Sequence, residues 1–184
     1  MSNSDEPEND VRAPRPRRAS APESASSDQL EQTGKNGANW FYWIAALSLV
    51  NTAVAHSGGE SHFIVGLSLP AIADAMAIDL GKDQPANANA YVAVAIGFSV
   101  IVALVVFGFG WFSKKRVLWV YGIGMGLYLL DGLLYLLLQD FASVAFHAFA
   151  LFSMFGGWSA FRKLAKQEDD DLPDDDEDQD DDTV

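Results

Sequence analysis

The chain contains no cysteine. Disulfides, cysteine-zinc sites, iron–sulfur clusters and thiol catalysis are therefore excluded, while the compartment stays open. Base is scarce as well: 12 Lys and Arg face 25 Asp and Glu, a net charge of −13. The imbalance is local. Residues 36–167 hold seven bases and six acids, whereas residues 168–182 hold twelve carboxylates and no base. This distribution excludes a basic nucleic-acid surface. A secretory signal is also lacking. The first apolar segment begins near residue 40, behind a long polar arm and with no cleavage site after it, which predicts an uncleaved anchor.

What the chain does contain is apolar sequence between polar tails, which a mean hydropathy of +0.07 conceals. The pattern predicts an all-α fold: a polytopic membrane helical bundle of four transmembrane helices plus one interfacial or re-entrant helix. Residues 1–38 have almost no large apolar side chains and are expected to be a disordered cytoplasmic tail. Residues 39–162 form the bundle. Residues 163–184 are expected to be an acidic, disordered cytoplasmic tail whose like charges repel. The basic run from Arg12 to Arg18 reads as a topology signal on the first tail.

The first span is expected near residues 38–56, opening on the aromatic belt Trp40-Phe41-Tyr42-Trp43. Ser48, Asn51 and Thr52 share a region of it and are expected to hydrogen-bond between helices. The loop after it carries His56, Glu60 and His62 among glycines, at a spacing that matches no metal motif. Residues 63–80 are apolar but contain Pro70 near their middle, with Asp74 and Asp79 beyond it. Positive charge decides their placement. If this segment does not cross, eleven of the twelve bases fall on one side, so it is expected on or dipping into the outer face with both termini cytoplasmic. Residues 81–89 read as a turn, and 91–112 as the second crossing.

Residues 117–138 and 141–161 form a hairpin about Gln139-Asp140, each long enough to cross. Asp131 and His147 lie eight residues to either side of Gln139, so an antiparallel hairpin brings them to the same depth. Gly122 with Gly126, and Ser153 with Gly157, are spacings that let helices approach closely, within the bundle or between copies. A second copy or a membrane partner would meet the chain on these faces, and the lipid bilayer is its surrounding medium. No cofactor motif is present: the Gly122-x-Gly124-x-Gly126 run lies inside an apolar span and follows no strand.

Intramembrane ionisable residues mark function by default. Asn51, His56, Asp74, Asp131 and His147 are the candidate polar cluster, expected in the outer half of the membrane. Asp131 and His147 would pair as a polar clamp in a structural or partner-binding protein. The alternative is an intramembrane metal- or proton-handling site, in a small hydrolase or an ion or proton transporter. The stretches Gly124-Met-Gly-Leu-Tyr128-Leu-Leu-Asp131-Gly132 and Ala145-Phe-His147-Ala-Phe149-Ala-Leu151, with Leu49-Val-Asn51 and Ile72-Ala-Asp74 upstream, resemble a family of small, uncharacterised bacterial integral membrane proteins with four spans. The resemblance covers residues 40–161. It implies a bacterial inner-membrane location, attaches no activity, and groups Asn51, Asp74, Asp131 and His147. Pro70 and Ala71 depart from it, standing where that family is expected to be polar.

Overall fold

The computed structural model describes residues 21–57 and 66–171, with side chains from residue 26 onwards. The chain forms α1 (Ala21–His56), α2 (Ser68–Asp83), a short 3-10 turn (Pro85–Asn87), α3 (Ala88–Lys114), α4 (Leu118–Leu137) and α5 (Phe141–Asp170). Among the described residues there is no strand. Pro85–Lys114, Leu118–Leu137 and Phe141–Asp170 are long and apolar enough to cross a membrane. In α1 the apolar stretch is diluted by Asn39, Ser48, Asn51 and Thr52, and it does not reach that standard.

Arg116 marks one end of the bundle. It sits in the α3–α4 turn and binds Glu31 of α1 at 2.8 Å and Glu168 of α5 at 2.6 Å. The polar half of α1, the α3–α4 turn and the C-terminal end of α5 therefore share one end. From it α1 and α4 run away, and α3 and α5 return. Glu31 is held below the usual carboxylate range by its hydrogen bond to Lys35 and then by Arg116, so the bracket is charged at neutral pH. Aromatic rings at the same end carry cations: Lys115 lies 3.8 Å from the Trp111 ring centre, and Arg162 4.8 Å from that of Trp158. Tyr121 and Phe161, towards the same end, are buried in the core with Ile44, Met154 and Phe41 of the predicted belt.

Helix reaches into both segments expected to be tails. Residues 21–38 are helical, not disordered, because α1 has a face of small residues against α5. A Cβ on Gly37 would stand 2.7 Å from the Gly157 Cα, and Gly34 leaves room for the Phe161 ring. Composition reads such a segment as unable to bury surface, but here two glycines bury backbone against backbone. Likewise α5 runs on to Asp170, past the expected boundary at 162, with Glu168 tied to Arg116. Residues 1–20 and 172–184, with the Arg12–Arg18 run, lie outside the described residues. The spacing of Gly122 and Gly126 does not pack within the bundle: Gly126 has nothing within 4 Å of a built Cβ, and Gly122 only the Trp158 indole nitrogen at 3.9 Å.

Two helices end in the same way. The amide of Asp140 donates to the Tyr135 carbonyl and that of Gln139 to Leu136, while Gln139 takes a positive φ of 59°. At the end of α3, Val117 donates to Phe112 and Arg116 to Ser113, with Arg116 at φ 62°. Both are Schellman ends with a side chain where glycine is usual. Arg116 has its two carboxylates to offset the strain. Gln139 is exposed and has no such compensation in the turn.

Two outcomes follow. Gly37→Leu should destabilise the protein by about 1–3 kcal/mol through overpacking, while Gly126→Leu should leave the melting temperature unchanged in the same detergent. Gln139→Gly should raise stability by about 1 kcal/mol, since it removes the left-handed penalty on a residue with a Cβ. Thermal unfolding followed by tryptophan fluorescence reads both.

Candidate functional site: a polar clamp joining three helices

The α4–α5 hairpin turns at Gln139, and Asp131 and His147 meet across it. His147 Nε2 lies 3.0 Å from Asp131 Oδ2, and both side chains are buried. Gly132 makes the approach possible, because a Cβ there would come within 3.1 Å of the imidazole side chain. The Tyr128 ring stacks on the imidazole at 4.3 Å between centres, with Tyr135 at 5.2 Å.

The other ring nitrogen fixes the tautomer. Nδ1 is 2.8 Å from the Ser143 carbonyl, which can only accept, so Nδ1 carries a proton. Nε2 and Asp131 then share one more. Imidazolium with carboxylate, or neutral imidazole with carboxylic acid, are the two forms, and both leave the pair without net charge. That matters in apolar surroundings, where a lone charge costs about 2.5 kcal/mol or more.

The third partner comes from α2. The Ser68 amide lies 3.0 Å from each carboxylate oxygen of Asp131, and its hydroxyl donates to Oδ1 at 2.6 Å. The residue before it, Leu67, provides no side-chain cap. The first amides of a helix have no partner within that helix, and a carboxylate at that end also meets the positive pole of the helix dipole. Asp131 thus caps α2 from another helix. Two Ser68 donors converging on the acid, with the imidazole opposite, form an arrangement suited to a carboxylate.

The remaining candidates fall elsewhere. His56 Nε2 lies 3.0 Å from Asp74 Oδ1, a second, part-buried pair between α1 and α2. Asn51 sits against Gly66, just before α2 begins. The five predicted residues therefore form two separate pairs and a neighbour, rather than one cluster. Segment 63–80 is corrected as well. The helix covers Ser68–Asp83, so Pro70 is its third residue, in the first turn where a missing N–H costs nothing, and it makes no central kink. The turn expected at 81–89 is confined to residues 84–87.

Ser48 and Thr52, expected to bond between helices, are buried with no hydrogen-bond partner among the described residues. Glu60 and His62 lie outside the described residues. Within them, no three His, Asp or Glu side chains come together. Sequence reasoning missed Ser68 and Gly132. A signal for Ser68 was present, because proline early in an apolar run marks a helix start. Nothing in one sequence distinguishes Gly132 from its neighbours.

Asp131→Ala strands the first turn of α2 and the imidazole together, and should cost about 3–5 kcal/mol. Ser68→Ala keeps the amide bonds and loses only the hydroxyl, for about 1–2 kcal/mol. In a cycle of Asp131→Asn and His147→Gln, the double variant should lose less than the sum of the singles. Equal losses, measured by unfolding in detergent, would dissolve the pair as an energetic unit. No family model, no curated protein and no solved structure matches this chain.

Proposed function

We propose that this chain is an integral protein of the bacterial inner membrane with four crossings, formed by α1, α3, α4 and α5. Both termini are cytoplasmic, α2 is re-entrant from the outer face, and the role is structural or partner-binding. The observation that carries this reading is the cap on α2: the Ser68 amide and hydroxyl end on Asp131. Asp131 is six residues short of the end of α4 at Leu137, so α2 starts about 9 Å inside the hairpin end. Irregular backbone at membrane depth is tolerated only where protein partners satisfy it, and the clamp supplies such a partner. The fourth crossing draws support from α1, which packs along both α3 and α5 and is tied to the α3–α4 turn by Glu31 and Arg116.

The geometry favours a clamp over chemistry. Both imidazole nitrogens are engaged, so neither offers a lone pair to a metal or a substrate without breaking the clamp. A proton relay fares no better. The route from the exposed Asp140 passes through Ser143, whose carbonyl accepts from His147 but cannot hand a proton on.

The absence of cysteine makes the topology testable. Single cysteines at Asp83, Lys115, Gln139 and Gln167 occupy exposed positions. A membrane-impermeant thiol reagent on spheroplasts should label 83 and 139, and reach 115 and 167 only after permeabilisation. Labelling of 83 and 139 on opposite sides would overturn the four-crossing arrangement. Proteoliposomes should carry no proton flux. Flux that vanishes in Asp131→Asn would replace the structural role with transport.

A further inference from the structure

α3 and α4 are joined by a turn of three residues, Lys115–Val117, yet they do not stay together. Beyond the turn α3 leans on α1 and α2, and α4 on α5, with the first turn of α2 wedged between them. The fork encloses a cavity of about 550 Å³. Phe41 and Gly124 line its narrow end, Leu67 and Leu69 of α2 line one flank, and among the described residues Asp131 is its one acidic wall. The mouth opens sideways: Ile101 is 62% exposed, Leu130 59% and Leu137 78%.

Its dimensions select an occupant. The α4 wall runs from Gly124 to Leu137, about 20 Å at helical rise. Half of a hydrocarbon core is about 15 Å, so the fork is about one leaflet tall. A cavity of about 550 Å³ is on the scale of a small-molecule pocket, about 300–1,000 Å³, and about a third of the roughly 1,600 Å³ filled by a helix of that length, about 10 Å across with its side chains. A second copy or a partner helix is therefore too large to enter it. Water is disfavoured because almost no polar group lines the space. An unbranched hydrocarbon chain matches its apolar lining and its length.

We propose that the α3–α4 fork binds one acyl chain of a membrane lipid, drawn from the outer leaflet, which lies along Leu130 and Ile101 and covers Asp131. This rests on the membrane-spanning reading above. It adds a consequence for the clamp: the chain keeps water from the buried carboxylate on the one side where protein does not.

The test is photolabelling in vesicles of phosphatidylethanolamine and phosphatidylglycerol, doped with a phospholipid that carries a diazirine on its acyl chain. Adducts mapped by mass spectrometry should concentrate on Ile101, Val105, Leu127 and Leu130. They should be several-fold fewer on Leu104 and Phe152, which are at least as exposed but lie outside the fork. Val105→Trp and Leu130→Trp fill the space from opposite walls, and each should abolish adducts on the wall that remains. Either variant suffices if the other does not accumulate. Adducts spread evenly over all exposed faces, and unchanged by both variants, would overturn the bound chain while leaving the spanning reading intact. Adducts on none of α3, α4 and α5 would overturn the spanning reading and the site with it.

Discussion

A helix that begins inside an apolar bundle brings unsatisfied N–H groups with it, and the rest of this structure depends on how they are met. The start of α2 is capped by Asp131, which is paired in turn with His147. Neither bond suffices alone. Without the imidazole the cap is a lone buried charge, and without Ser68 the pair has no reason to lie at that depth. Because α2 and α3 form a hairpin, tied by Tyr91 to Gln84 at 2.8 Å, anchoring α2 also positions α3. The fork between α3 and α4 follows from that anchoring.

The opposite end is held by different physics. Arg116 joins three helices, but its ion pairs are partly exposed, and such pairs contribute little individually. The cations over Trp111 and Trp158 are likewise modest terms. What fixes α1 there is close backbone contact through Gly34, Gly37 and Gly157, which no charge can replace. Salt should therefore weaken the bracket and leave the glycine contact and the buried clamp in place, since screening acts on exposed charges.

The sequence was most legible where geometry reduces to counting. The equal spacing of Asp131 and His147 about Gln139 fixes a shared depth in any antiparallel helical hairpin, and the 3.0 Å contact follows from that symmetry. It was least legible where a residue acts through another element. Ser68 is unremarkable until Asp131 is seen opposite it. His56 and Asp74 were grouped with the clamp because they fall at similar depths, but depth does not fix azimuth, and they face each other instead. Polar composition hid the helix at 21–38, because its contacts use glycine, which carries no hydropathic signal. Pro70 misled for a related reason: its meaning depends on where the helix starts, which is set by the cap rather than by the local sequence.

Buried ion pairs are often replaceable by apolar residues of similar size without loss of stability. The Asp131–His147 pair differs in one respect. Replacing both side chains with hydrocarbon would remove the desolvation cost of the ions, but the Ser68 amide would remain, buried and unpaired. A backbone donor cannot be mutated away. As long as α2 begins at this depth, an acceptor is required there, and an ionised acceptor requires a compensating proton donor. The clamp is thus a consequence of where one helix starts.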